Sequence, residues 1–260
     1  LFGAFSGTLT HGASYAQSVI ASGAAAILTD QKGLEILTTA GLEQAVSVIV
    51  TEDARATFSR AAALFYPHKP AVIAAVTGTN GKTSVATFLR QIWAHLGYEA
   101  INLGTTGMEG AVQRPLAHTT PDTLTLLDAL AQAAEAGVTH CAMEASSHGL
   151  DQGRLDGLDL RAGGFTNLSQ DHLDYHNTFE AYFDAKAGLF TRVMPVDRPV
   201  VINIDDPYGV QLKERCAARA MPVITVGHDM MSDLHIQGQR YDATGQTVLF
   251  SYAGTRYQKR

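Results

Sequence analysis

Cysteine is scarce in this 260-residue chain, which holds only Cys141 and Cys216. Two thiols cannot supply a disulfide framework, so a reducing cytoplasm is the plain reading. Cys141 lies in the apolar, strand-like stretch THCAMEAS and reads as core. No apolar run approaches the ~20 residues needed to cross a bilayer. AVIAAV at 71–76 has the length of a buried strand, and no membrane insertion is expected. Basic residues are outnumbered, 19 Lys and Arg against 25 Asp and Glu, for a net charge of −6. That balance argues against nucleic acid as the main partner. It leaves room for a phosphorylated small molecule, because a helix N-terminus and one lysine suffice to hold a phosphate. A signal peptide and an initiator methionine are both missing. The opening LFGAF reads as the inside of a strand, and the final YAGTRYQKR stops without a closing element. The expectation is a piece of a longer protein. The remaining composition, 46% hydrophobic and 17% charged, is that of an ordinary globular protein.

Hydrophobic periodicity divides the chain in two. In the first part, YAQSVIASG (15–23) has helical spacing and ends at a glycine, AAAILTD (24–30) and AVSVIVTE (45–52) read as strands, and Asp53 caps a helix whose Phe58, Ala62 and Phe65 share one face. YPHKP (66–70) is a boundary that a helix cannot cross. After it come strand–loop–helix units: AVIAAV, then a helix with Val85, Phe88, Leu89, Ile92, Trp93 and Leu96 on one stripe. A helix at 123–136 leads to a strand at 139–146. Later strands are expected at 162–168, 199–205 and 222–227, with a helix at 207–220. Repeated β–α alternation predicts an α/β fold with a mostly parallel sheet and helices on both faces. Near the end, DLHIQ and TVLFSY flank YDATGQ and predict an antiparallel hairpin at the sheet edge. The domains expected are a partial N-terminal α/β domain at 1–66 and a central nucleotide-binding domain at 67–260.

The stretch VTGTNGKTS (76–84) carries the chemistry. A phosphate-binding loop needs inward backbone N–H groups, a helix N-terminus behind them and one cation. Gly78 and Gly81 permit the tight path, Lys82 brings positive charge to the β- and γ-phosphates, and Thr83 places a hydroxyl in the first helical turn, where Mg²⁺ usually sits. The common form of this loop has a glycine where Val76 stands. This loop is shorter, and Val76 closes the preceding strand. The bland alternative is a glycine turn before a helix with an exposed lysine.

Three further features stand out. Glu144 ends an otherwise apolar strand, beside the phosphate loop on the same sheet edge, and is placed to hold Mg²⁺. The segment DHLDYH at 171–176 packs Asp171, His172, Asp174 and His176 together, and taken alone reads as a solvated loop. Lys186 lies seven residues after Phe179 on a helix face otherwise made of Phe179, Tyr182, Phe183 and Phe190. A buried ammonium is costly and tends to lose its charge. Either it snorkels out to water, or a neutral amine is available to react with CO₂ as a carbamate.

The short loop Gly-Thr-Asn-Gly-Lys-Thr resembles that of the Mur ligase family and of folylpolyglutamate synthetase. HTTPD (118–122), MEASSHGLDQGR (143–154), FTNLSQDHLDYH (165–176) and AYFDAKAGLF (181–190) follow in order at family-like spacing. Together they are similar to the MurE-type branch, which adds meso-diaminopimelate or lysine to UDP-N-acetylmuramoyl-L-Ala-D-Glu. The resemblance implies a cytoplasmic, monomeric, ATP-dependent amide-bond ligase of peptidoglycan precursor synthesis. Its partners would be the UDP-muramoyl-dipeptide and a diamino acid, and its cofactors ATP and Mg²⁺. It implies ATP contacts from Gly78, Thr79, Asn80, Gly81, Lys82, Thr83 and Ser84. It implies substrate contacts from Thr8, Leu9 and Thr10 (a uridine-contacting loop) and from His118, Thr119, Thr120, Ser146, Gln152 and Arg154. It assigns Thr83 and Glu144 to one metal, His172 and a carbamylated Lys186 to a second, and catalytic roles to Lys82, Lys186 and His172. The family's third domain, which binds the incoming amino acid, has no counterpart here, so the piece alone is expected to be inactive. Two other readings stay open: a folylpolyglutamate- or cyanophycin-type ligase of the same superfamily, and a nucleotide-binding module without catalysis.

Overall fold

Aspartates punctuate the helices. The computed structural model of the chain describes residues 1–7, 9–171 and 175–260. In its first part, strands β1 (Phe2–Ala4), β2 (Ala26–Thr29) and β3 (Ser47–Val50) form a three-stranded parallel sheet. Helices α1 (Ala16–Ala21), α2 (Gln31–Thr39) and α3 (Ala54–Ala63) accompany it. Asp30 accepts from the Gly33 amide at 2.9 Å and Asp53 from the Ala56 amide at 2.9 Å, so each carboxylate satisfies an orphan N–H at its helix start. The α2 helix is not among the elements expected from the sequence. Phe65 falls beyond the end of α3 and is 79% exposed, so the expected Phe58–Ala62–Phe65 face is cut short.

The second part is built on β4 (Val72–Thr77), α4 (Lys82–His95), β5 (Ala100–Gly104), β6 (Gly107–Gly110) and α5 (Thr123–Glu135). It continues with β7 (His140–Glu144), α6 (Ser147–Asp151), β8 (Ala162–Phe165), α7 (Phe179–Gly188), β9 (Val200–Asn203) and α8 (Pro207–Ala218). It closes with β10 (Val223–Gly227), β11 (Leu234–Asp242), β12 (Gly245–Tyr252) and β13 (Thr255–Lys259). These strands make one ten-stranded sheet in the order β13-β12-β11-β10-β9-β8-β4-β7-β5-β6. From β11 to β5 every pairing is parallel. The expected edge hairpin is present and extends into a three-stranded antiparallel meander through β13, while β6 adds an antiparallel strand at the other edge.

Two faces of this sheet are covered unequally. Ile73, Ala75, Ile101, Leu103, Cys141 and Met143 belong to the main core, with Ala62 of α3, Leu126 and Leu130 of α5, Phe183 of α7 and Leu212 of α8. Both cysteines are buried and free. On the opposite face Val76, Ala86 and Ala142 form a small cluster with Leu89 and Trp93 of α4. Among the described residues, α4 is the one helix of that cluster. The predicted apolar stripe therefore splits. Leu89 and Trp93 pack on the sheet, while Val85, Phe88, Ile92 and Leu96 stay exposed. A groove of about 690 Å³ runs between α4 and strands β8 to β11. No helix among the described residues is long and apolar enough to cross a membrane.

The strand order also positions the site. From β4 the chain crosses over β7's place to β5, returns to β7, then goes to β8 on the other side of β4. The order reverses at β4, and ligand crevices in parallel sheets open at the carboxyl ends of strands beside such a point. Register brings Val76 opposite Glu144 and Thr77 opposite Phe165 at that end. The main core should carry the stability. Leu130, fully buried, loses its packing in Leu130→Ala, and a drop of about 2–5 kcal/mol in urea-unfolding free energy is expected. A loss under about 1 kcal/mol would contradict this account of the core.

Candidate functional site at the carboxyl end of β4

The loop after β4 turns on glycines for a steric reason. Gly78 has φ +144°, and a Cβ on it would lie 2.0 Å from Thr166 Oγ1. Gly81, at φ +85°, is the N-cap of α4. The segment after β8 braces the loop. The Thr79 amide donates to the Asn167 carbonyl at 2.9 Å, the Asn80 amide to Asn167 Oδ1 at 3.0 Å, and Thr166 Oγ1 to the Asn80 carbonyl at 2.6 Å. Thr79 Oγ1 pairs with Tyr182 Oη of α7 at 3.2 Å. The loop is thus held in shape by groups from two other elements, with the free end of α4 behind it. That is the architecture of an anion site. Ser84 is exposed in the first turn of α4.

Lys82 Nζ donates to the carbonyls of Gly78 (3.0 Å) and Thr79 (2.9 Å), which keeps the ammonium at the loop. Burial pushes its pKa down, while the charges of Glu144 and Asp171 pull it back up. Glu144 is 1% exposed at the end of β7. Its Oε1 accepts from Thr83 Oγ1 and from the Thr105 amide, both at 2.9 Å. Gly104 makes room for it, since a Cβ there would come 1.9 Å from Glu144 Oε1. Thr83 and Glu144 present hard oxygen donors side by side, a set that suits Mg²⁺ completed by phosphate and water. Among the described residues no group of three or more His, Cys, Asp or Glu is gathered as a complete metal cage.

Lys186 is also 1% exposed. Its Nζ donates to the Gly78 carbonyl at 2.8 Å and lies 4.4 Å from the centre of the Tyr182 ring. Both lysines therefore converge on one carbonyl oxygen. Burial, with the Lys82 charge adding to it and Asp171 opposing, brings the pKa of Lys186 down to about 7. The snorkelling alternative is excluded by this burial.

The remaining expected residues divide by what their side chains touch. Thr120 is buried; its hydroxyl donates to the Glu144 carbonyl at 2.8 Å and accepts from the Ser146 amide at 2.9 Å. Ser146 caps α6, accepting from Gly149 at 3.0 Å. Thr119 pairs with Thr105 at 3.0 Å. Arg154 donates to Gln152 Oε1 at 3.2 and 2.7 Å and to the Thr120 carbonyl. Gln152 Nε2 in turn reaches Tyr175 Oη at 3.2 Å, which donates to Asp151 at 2.8 Å. His118 is exposed, as are Leu9 and Thr10, the last within 3.4 Å of Ser14 Oγ. His176 is buried beside Tyr175 and Tyr182. Thr8, His172 and Asp174 lie outside the described residues. The sequence reading missed Thr105, Thr166, Asn167 and Tyr175. All four lie in or beside the quoted motifs or a strand-ending glycine, but their partners are distant in sequence.

The family model for the Mur ligase middle domain matches residues 76–259. The UDP-N-acetylmuramoyl-L-alanyl-D-glutamate–2,6-diaminopimelate ligase of Brucella melitensis is 46% identical over 228 residues, covering 87% of this chain and 46% of that protein. A solved structure of a ligase of the same description superposes with a TM-score of 0.81 at 30% identity, covering 96% of this chain and 50% of the other. Folylpolyglutamate synthase of Mycobacterium tuberculosis, solved with ADP and AMPPCP, shares the fold at a TM-score of 0.61 and 18% identity, covering 78% and 52%. The chain spans about half the length of the curated relatives it matches.

The buried lysine has a measurable signature. An unfolded lysine titrates near 10.4, whereas Lys186 in the fold titrates at about 7. Between those values the unfolded chain binds the extra proton, so stability rises with pH across the window. Below about 7 the folded lysine is charged too, and the full cost of burying that charge is present. Lys186→Met keeps most of the volume and removes the titration. Its stability advantage in urea unfolding should be largest at pH 6.5 and shrink by about 1 kcal/mol per pH unit on the way to 9.5. An advantage that does not change with pH would refute the depressed pKa.

Proposed function

The chain belongs to the Mur ligase family, and from that premise we propose that it carries the ATP-handling portion of an ADP-forming amide-bond ligase. The ligase joins a diamino acid to UDP-N-acetylmuramoyl-L-Ala-D-Glu in peptidoglycan precursor synthesis. The diamino acid proposed is 2,6-diaminopimelate, the amine named in the matched relatives. The observation that carries the proposal is one constellation. The braced loop at 78–84, the Thr83–Glu144 pair and the Thr119–Thr120–Ser146–Arg154 cluster stand together at the carboxyl ends of β4, β5 and β7. It supports a reading in which a phosphate site lies within one hydrogen-bond relay of side chains suited to carboxylates.

In the proposed reaction the side-chain carboxylate of D-Glu attacks the γ-phosphate of ATP. The resulting acyl phosphate is then opened by the amine. No protein nucleophile is required. The amides at the start of α4 and Lys82 would stabilise charge on the transferring phosphoryl group. Thr83 and Glu144 would hold Mg²⁺, which would supply neutralisation of phosphate charge. Thr120 fixes the turn after β7, and through it the position of Glu144. A lysine with a pKa of about 7 is half in its neutral form at neutral pH, and that form can add CO₂ at Nζ with loss of a proton. The carbamate so made would turn a cation into an anion at the metal side of the loop. His172, outside the described residues, is proposed as the other ligand of a second metal. Thr8, Leu9 and Thr10 are proposed to meet the uridine, and the protein to act as a cytoplasmic monomer.

In the full-length protein, phosphate release from ATP should require both the UDP-muramoyl-dipeptide and diaminopimelate. Lys82→Ala should lower kcat by about 10²–10³-fold. Absence of release with both substrates present would overturn the assignment.

A further inference from the structure

Arg55 stands in the first turn of α3, just after the Asp53 cap. That is a poor place for a cation, because the helix N-terminus is itself positive. Helix stability therefore does not account for it. Its guanidinium lies 5.3 Å from the centre of the Phe5 ring and donates to the Ser6 carbonyl, beside Gly7, whose amide donates to the Thr10 carbonyl at 2.9 Å. Across from it stands Arg154, fixed by Gln152 and by the Thr120 carbonyl. The two line one cavity of about 180 Å³, together with Phe5, Phe58, Asp122 and Gln152. Gly153 is where the walls meet. A Cβ on it would lie 3.1 Å from the Ala56 nitrogen and 3.4 Å from the Arg55 carbonyl carbon, so the chain between Gln152 and Arg154 presses on the start of α3.

Charge in this cavity is not balanced. Among the described residues neither arginine has a carboxylate within ion-pairing distance. Asp122, the carboxylate that shares the cavity, accepts from the amides of Leu124 and Thr125 as the cap of α5. Burial lowers the pKa of Arg154, Asp122 opposes that, and the Arg55 charge adds to it. Two guanidinium groups facing one engaged carboxylate leave a positive charge to be met by a ligand.

We propose that Arg55 joins Arg154 in a two-guanidinium cradle for an oxyanion of the muramoyl substrate, a diphosphate or a peptide carboxylate, closing across the junction between the two sheets. The cradle rests on the reading given under Proposed function and adds to it a residue from the first part of the chain. Forked, planar donors suit both anions. One side of the cavity is lined by Phe5 and Arg55 of the first part of the chain, and the other by Gln152 and Arg154, proposed for the muramoyl-peptide. The proposed ligand carries its diphosphate between its uridine and its muramoyl-peptide.

Calorimetric titration of the full-length protein tests this with three probes: UDP-N-acetylmuramate, UDP-N-acetylmuramoyl-L-Ala-D-Glu and a non-hydrolysable ATP analogue. Arg55→Ala should weaken the dipeptide substrate about 10- to 100-fold. It should leave the ATP analogue unchanged, and Arg55→Lys should recover part of the loss. An equal loss for UDP-N-acetylmuramate supports the cradle as a diphosphate site, and a loss confined to the dipeptide form supports it as a carboxylate site. Wild-type affinity of Arg55→Ala for both muramoyl nucleotides would overturn the cradle alone. An equal fall for the ATP analogue would also overturn it, by showing a general disruption. A wild-type protein that binds neither muramoyl nucleotide would sink the function proposed above, and the cradle with it.

Discussion

A carboxylate that is 1% exposed must find its donors inside the protein, and Glu144 organises the site by that need. Its Oε1 takes one hydrogen bond from the first turn of α4 and one from the backbone beyond β5. Its own carbonyl accepts from Thr120, whose hydroxyl then receives the Ser146 amide. One residue thus holds the helix behind the phosphate loop, the end of a neighbouring strand and the turn that leads to α6. β7 lies between β4 and β5, so the carboxylate can reach both sides. Gly104 completes the arrangement, because any side chain there would occupy the carboxylate's position.

The second constraint is the carbonyl of Gly78, on which Lys82 and Lys186 both converge. Two ammonium groups on one acceptor, one of them fully buried, repel each other in a medium that screens poorly. The relief is unequal. Lys82 is half-buried, with Glu144 and Asp171 near enough to raise its pKa, and it keeps its proton the more easily. Lys186 is enclosed by α7 and the loop, and it gives up its charge near neutrality. A neutral amine still donates to Gly78 and still fits over Tyr182. The fold therefore gives two chemically identical side chains different hold on their protons, through burial and the charges beside them.

Much of this was legible in the sequence because it is local. The short glycine loop, the strand before it, the helix after it and the carboxylate ending β7 are each written within a few residues. Lys186 was legible too, since its position on an aromatic helix face needs only a period of 3.6. What stayed hidden depends on contacts between distant segments. Thr105 matters through Glu144, Tyr175 through Gln152, and Thr166 and Asn167 through a loop that precedes them by a long stretch of chain. The α4 stripe was misjudged for a related reason. Periodicity says which residues share a face, and coverage depends on what packs against it. Here Leu89 and Trp93 meet the sheet while Phe88 and Ile92 border an open groove. The β13 strand escaped notice because TRYQK lacks the apolar alternation of a half-buried strand, and all of it is exposed.

The reversal of strand order at β4 explains why these separate constraints meet in one place. Chain leaving β4 runs to one side of it through α4 and β5, and chain leaving β7 runs to the other side through α6 and β8. The loops after β4, β5, β7 and β8 therefore meet at one end of the sheet, and each contributes one kind of group. The first gives amides and Lys82, the second Thr105, the third Glu144's turn with Ser146 and Arg154, and the fourth the Thr166–Asn167 brace. Helix α3 enters the same neighbourhood from the first part of the chain by packing against Gly153 and the main core. That contact makes the junction between the two sheets a wall of the site. Under the proposed cradle, a ligand held there would touch both parts at once, and its binding would be coupled to how they are held together.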